Sequence, residues 1–248
     1  MLHWVRSFLS GQVQVVHFAG QHSKESPLLC GLPQGSVSGP ILFSFYTADV
    51  VRIAQSFGVC IHCYADDLQL YVYCHVGDAE VAAARLLACI SAIDKWIRSN
   101  RLKMNPDKIQ FIWLGSRQQL AHLNITPLHL HDGTIVVPST DVRSLGFVFD
   151  SQLSMTDHVN HVTCACFYQL RQLCFIRDSL MDDAAKMLVH TFVSSRVDYC
   201  NSLLFGAPTH VLRKLQSVLN ASARLITGGR RCDHIKPVLR DLHWLPVT

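Results

Sequence analysis

Residues 63–71 read CYADDLQLY, which sets two neighbouring carboxylates, Asp66 and Asp67, inside an otherwise apolar stretch. Like charges this close repel, and burial would push at least one carboxyl toward its protonated form. The runs on either side, GVCIHCY (58–64) and LQLYVYC (68–74), are β-rich, so the spacing predicts a hairpin with Ala65, Asp66 and Asp67 at its tip. A tight turn lets consecutive side chains project together, whereas along a regular strand they face opposite sides. Two carboxylates held this way suit a hard divalent cation such as Mg²⁺, which prefers oxygen ligands and keeps waters for substrate phosphates. A solvated Asp-Asp turn has the same sequence, and the pair alone leaves both readings open.

Upstream of the hairpin, QVQVVHFAG (12–20) alternates as a strand does, and CGLPQGSVSGP (30–40) is a Gly/Pro/Ser loop. Pro40 sits well as an early residue of a helix over ILFSFYTADVVRIAQSF (41–57). Downstream, a helix is expected over 78–99, with Val81, Leu86, Ile90, Ile93 and Ile97 at near-helical spacing. NRLKMNPDK breaks it, and IQFIWLG (109–115) reads as another strand. Short strands follow over 125–149, with HDG a turn between two of them and VRSLGFVFD the last. Beyond about 154 the pattern is helical, over 156–176, 183–196, 208–226 and 234–241, with Asp182 and Pro208 as starting signals. A mixed unit over 1–150 and a helical one over 151–248 are therefore expected.

The bulk numbers narrow the class. A chain of 248 residues with 49% hydrophobic content buries a real core and is no disordered polymer. Its longest apolar run, VAAARLLACISAI, is interrupted by Arg85 and falls short of the ~20 residues a membrane span needs. Met1 leads into LHWVRSFLSG, too short and polar for a secretory signal, so we expect a soluble intracellular protein, cytoplasmic or nuclear, with no membrane partner. The ten cysteines are expected as reduced core thiols, because a chain this long and apolar needs no staples. Charge is uneven. Residues 1–150 hold 11 basic and 11 acidic side chains, and residues 151–248 hold 11 and 7, so the whole excess of +4 lies in the helical part. A basic excess there fits a polyanionic partner without requiring one.

Two further stretches carry chemistry. In GLPQGS, Pro33 and Gly35 impose a special backbone, and Gln34 between them offers a donor and an acceptor for base or sugar recognition. In LKMNPDK, Lys103 and Lys108 flank a turn, where a lysine could stabilise a leaving pyrophosphate. Read alone, an ordinary loop entering a helix and a solvated basic turn explain the two stretches more simply. HVNHVTCAC offers His158, His161, Cys164 and Cys166, and CIHC offers Cys60 and Cys63, as zinc ligands; a spacing that drifts around one helix argues against such a site.

Taken in order, GLPQGSVSGPILFSFYTADV, YADDLQLY, WIRSNRLKMNPDKIQFIWLG and VRSLGFVFDSQLS resemble the reverse transcriptases of non-LTR (LINE-like) retrotransposons. The tail agrees: RVDYCNSLLFGAP, LQSVLNASARLI and LHWLPV resemble the segment that follows the polymerase palm in those elements, so the similarity runs from Trp4 to Val247. The resemblance implies an α+β fold, a partial right-hand polymerase palm over 1–150 followed by an all-α thumb-like segment over 151–248. It implies RNA-directed DNA polymerase chemistry, with Mg²⁺ or Mn²⁺ as cofactor and an RNA template, a DNA primer and dNTPs as partners. Asp66 matches the metal-binding aspartate of the family hairpin and Asp67 its companion. Pro33, Gln34 and Gly35 match the loop beside the nucleotide and template, Lys108 the lysine assisting pyrophosphate departure, and Leu145 and Gly146 the hairpin that grips the primer end.

The family carries another metal-binding aspartate on a strand upstream of the helix that ends near WVRSFLSG; Asp49 is a poor substitute, and Ser38 stands where an apolar residue is common. We therefore expect a fragment truncated at both ends, lacking the fingers and the first catalytic strand, and poorly active alone. The alternative is a catalytically dead remnant that at most binds nucleic acid. Arg213, Lys214, Arg224, Arg230 and Arg231 are its candidate phosphate contacts.

Overall fold

The computed structural model describes residues 2–29, 31, 35–124, 126–230 and 232–247. By packing, the chain divides into two compact units, Met1–Met104 and Asn105–Thr248. The expected change near residue 150 is a change of texture, from strands to helices, inside the second of them.

The first unit begins with helix α1 (Leu2–Leu9) and two short antiparallel pairs. Strand β1 (Val13–Gln14) pairs β4 (Ser26–Pro27), and β2 (His17–Phe18) pairs β3 (Gln21–His22). The strand expected over 12–20 is thus two short ones, separated by two residues. Helices α2 (Gly39–Tyr46) and α3 (Ala48–Ser56) replace the single helix expected over 41–57. The break is at Thr47, whose hydroxyl donates to the Phe43 carbonyl (3.0 Å), a local bond that competes with the helix backbone. Hairpin β5 (Cys60–Tyr64) and β6 (Asp67–Tyr71) follows, then α4 (Ala79–Ser99), as expected to within a residue. The core lies where α3 packs against α4 and against β5, around Val50, Ala54, Val59, Leu86, Cys89 and Ile93. Val81, expected on the buried face of α4, is 70% exposed; Ala82 and Cys89 take the buried positions instead. Small residues let α3 approach closely, which the count of large apolar residues had concealed.

In the second unit, IQFIWLG forms no strand of its own. Ile112 makes an isolated parallel bridge to Ser139, and Gly115 donates to the Ser151 carbonyl (3.0 Å). The short helix α5 (Arg117–Ala121) starts with a capping box between Ser116 and Gln119. Strands β7 (Leu128–His129) and β8 (Ile135–Val136) enclose the expected His131–Gly133 turn, and β9 (Asp141–Ser144) pairs with β10 (Phe147–Asp150). Four longer helical segments complete it: α6 (Thr156–Ile176), α7 (Asp182–Val189) running through a wide turn at His190–Ser194 into α8 (Ser195–Asp198), α9 (Thr209–Thr227) and α10 (Ile235–Asp241). The core is the α6–α9 seam: Val159, Cys166 and Leu170 of α6 meet Val211, Leu215 and Val218 of α9. Burying one such aliphatic side chain contributes roughly 1.5–3 kcal/mol. Asp182, expected as a helix cap through its side chain, is the first residue of α7 and pairs with Arg177 instead.

All nine described cysteines are free, as expected, yet only Cys89 and Cys166 are buried; Cys60, Cys63, Cys74, Cys164, Cys174 and Cys232 are exposed. The expectation of core thiols is corrected for those six. Burial pushes the Cys166 thiol up to about 11. Among the described residues, no helix is long and apolar enough to cross a membrane.

Candidate active-site residues

In the first unit, the β5–β6 register pairs Tyr64 with Asp67, leaving Ala65 and Asp66 as a two-residue turn. Ala65 takes a left-handed φ of 51°, the sign that turns matched to strand twist require. The expectation that both carboxylates sit at the tip is therefore refined. Asp66 lies in the turn, and Asp67 is the first residue of β6. Both are exposed, and neither carboxylate forms a hydrogen bond or ion pair among the described residues. Behind the turn, His62 stacks on Tyr71 (centroids 5.3 Å apart), with Nε2 2.9 Å from the phenol oxygen. Desolvation, then the Cys60 thiol, pushes the Tyr71 phenol up. Asp49 is apart from this chemistry, facing Arg52 at 3.5 Å on α3.

Exposed carboxylates at a two-residue turn fit hard-cation binding, since no described residue neutralises them. Among the described residues, no three His, Cys, Asp or Glu side chains cluster as a metal site. The donor set is thus two carboxylates, which leaves most positions around a cation to water or substrate oxygens.

Gly35 follows in a turn at φ +81°, a conformation that L side chains rarely adopt. Pro33 and Gln34 lie outside the described residues, as do Cys30 and Arg231. Lys108 belongs to the second unit. It ends a single 3-10 turn, Pro106–Lys108, that Asn105 opens by accepting the Asp107 N–H (3.2 Å), and it is exposed.

Leu145 and Gly146 form the two-residue turn between β9 and β10, at φ +48° and +83°. Three residues to which the sequence analysis gives no part in this hairpin hold it or its passage into α6. The Tyr199 hydroxyl donates to the Leu145 carbonyl. Asp150, buried, accepts the N–H groups of Gln152 (3.1 Å), Ser154 (2.8 Å) and Met155 (2.8 Å), which fixes the passage into α6. His158, set down as a zinc candidate, is buried against Phe147 (centroids 3.7 Å apart), and its Nδ1 accepts the Val148 N–H at 3.3 Å. The Tyr199 contact, 54 residues apart, leaves no local pattern in sequence, whereas Asp150 serves residues two to five positions further on.

Burial, then the neighbouring His161, holds the His158 imidazole below its ordinary value. The unfolded chain therefore binds this proton more readily than the folded one, and stability falls as pH drops below about 6.5. Asp150 also lies at this junction, but its carboxylate is occupied by backbone donors. We expect the acid-induced loss of stability between pH 7.5 and 5 to shrink in His158→Gln, whose amide oxygen can still accept from Val148. Denaturant titrations at both pH values check this; equal losses in the two proteins would contradict it.

Of the tail cations, Lys214 donates to Asn160 (2.5 Å) and Arg224 is half-buried, while Arg213 and Arg230 are exposed.

The family model for reverse transcriptase (RNA-dependent DNA polymerase) matches residues 1–149, and the chain belongs to that family. Its relatives place it with the LINE-like elements. The probable RNA-directed DNA polymerase from transposon BS of Drosophila melanogaster is 26% identical over 233 residues, covering 90% of this chain and 25% of that protein. The RNA-directed DNA polymerase from mobile element jockey of the same organism is 25% identical over 248 residues, covering 96% and 26%. The probable enzyme from its transposon X-element is 23% identical, covering 90% and 24%. The chain spans about a quarter of the length of these curated relatives. No solved structure matches it.

Proposed function

We propose that the chain is polymerase-domain sequence of a LINE-like reverse transcriptase that extends a DNA primer with dNTPs on an RNA template. Residues 1–150 act as a partial right-hand palm and residues 151–248 as an all-α thumb. The observation that carries this reading is the YADD turn, which keeps Asp66 and Asp67 exposed, with no partner among the described residues, in a chain of this family.

In this reading Asp66 and Asp67 hold divalent cations, Mg²⁺ or Mn²⁺. When bound, these ions lower the charge barrier between a primer hydroxyl and a triphosphate. The turn's part is to fix two anionic oxygens where they need no reorganisation when a cation arrives. Pro33, Gln34 and Gly35 shape the loop beside the nucleotide and template, with the Gly35 backbone offering close approach. Lys108, exposed on its turn, supplies a proton or a positive charge to the departing pyrophosphate. Leu145 and Gly146 contact the primer end.

Primer extension on an RNA template with Mg²⁺ and dNTPs tests the proposal, run beside Asp66→Asn. Slow incorporation that depends on Asp66 supports it. Salt-dependent binding of primer–template without incorporation, by a chain shown to be folded, would mean that these residues bind nucleic acid and do no chemistry.

A further inference from the structure

The Leu145–Gly146 turn is more strained than a hairpin requires. A two-residue turn with φ > 0 at both positions is the natural place for Asn-Gly or Gly-Gly, yet its first residue is a leucine at φ +48°. Side chains with a Cβ seldom stay in that region unless their surroundings over-determine it. Here they do. The Tyr199 hydroxyl reaches across 54 residues of sequence to the Leu145 carbonyl. Its ring lies along the turn, so that a Cβ added at Gly146 would sit 3.5 Å from a ring carbon. Tyr199 is itself anchored, immediately after α8, between Val197 and Leu204 of the helical core. On the other side, Phe147 is buried against His158, and Val148 is bonded to it. The turn is pinned from two directions while the Leu145 side chain stays 41% exposed.

We propose that Tyr199 is a positioning residue. It holds the Leu145–Gly146 carbonyl inward and so presents the outer face of the turn to its ligand, which on the reading above is the 3′ end of the primer. Tyr199 acts through the turn and does not touch the primer. The proposal rests on that reading for the ligand, and on the hydroxyl contact for the mechanism.

Tyr199→Phe in the full chain keeps the ring and removes only the donor. Amide exchange at Ser144 and Phe147, the pair that closes the turn, is expected to rise about tenfold, the loss of roughly one hydrogen bond. The melting temperature should stay near that of the parent. Affinity for an RNA–DNA hybrid with a recessed DNA 3′ end should fall several-fold, while affinity for a blunt hybrid is unchanged. Adding Leu145→Asn, which tolerates the left-handed conformation, should restore slow exchange. Unchanged exchange in Tyr199→Phe overturns the proposal, and so does faster exchange with unaltered preference for the recessed end. If the parent protein does not distinguish recessed from blunt hybrids, the primer reading fails instead, and the exchange data alone decide whether Tyr199 holds the turn.

Discussion

Asp66→Asn is expected to lower Mg²⁺-dependent incorporation by about 100-fold or more, the usual scale for removing a group that stabilises transition-state charge. The fold should not notice. Asp66 is exposed in a two-residue turn, its carboxylate has no partner among the described residues, and asparagine is at home in turns. What changes is charge: one of two anionic ligands becomes neutral, and a hydrated divalent cation loses its main reason to stay. Because the protein contributes only two carboxylates to this site among the described residues, the parent rate is itself expected to be slow. Single-turnover assays with enzyme in excess over primer–template are therefore the appropriate measurement. Mn²⁺ binding followed by electron paramagnetic resonance gives a second readout independent of turnover and should weaken in the variant. Equal incorporation by parent and variant would remove Asp66 from the chemistry. If a folded parent shows none, catalysis needs more than these residues provide.

How much of this was legible in sequence depends on the range of the interaction. Turns are local, and the two expected at the YADD tip and at His131–Gly133 are present. VRSLGFVFD, expected as one strand, instead turns back on itself at Leu145–Gly146, a hairpin that only the family resemblance implied. Long helices with a clear apolar seam, such as α6, also emerged at their expected bounds. The failures share a different cause. IQFIWLG has strand composition, but strand formation needs a partner, and only Ile112 finds one, through a single bridge. The helix over 41–57 was sound in its apolar pattern, yet a threonine hydroxyl inside it offered the backbone another bond. The exposed cysteines show that an apolar neighbourhood in sequence does not place a side chain in the core.

The candidate site divides in the same way. Asp66, Asp67 and Gly35 stand out in sequence because their backbone or charge demands are written in adjacent residues, whereas Leu145 and Gly146 are marked only by the family resemblance. Tyr199 was missed because it works on a turn 54 residues away in sequence. For Tyr199 the only hint was a leucine at a turn position that favours asparagine or glycine, a mismatch that asks what holds it. Asp150 closes the last strand motif, where its carboxylate could have been suspected of serving the following loop.

Arg177→Ala is expected to destabilise the second unit by about 3 kcal/mol, within the range for lost charge-assisted hydrogen bonds at a mostly buried site. The guanidinium donates to the carbonyls of Leu225 (2.9 Å) and Ile226 (2.7 Å) at the end of α9, to Leu180 (3.0 Å), and to Asp182 at the start of α7. The last carbonyls of a helix have no partner inside it. In α9 the Gly228 and Gly229 amides serve Arg224, and Arg177 serves the next two. Its positive charge also opposes the negative end of the helix dipole. One side chain thus joins the ends of α6 and α9 to the start of α7, and α6 is the helix on which the β9–β10 hairpin rests. Arg177→Lys keeps the charge but cannot fork to several acceptors, so it should recover only part of the loss. Thermal unfolding, with hydrogen exchange on α6 and α9 to assign the transition, should show a fall of roughly 6–12 °C for the alanine variant. A fall of only a degree or two would mean that water satisfies those carbonyls as well as the arginine does, and that the helical unit owes its stability to the apolar seam alone.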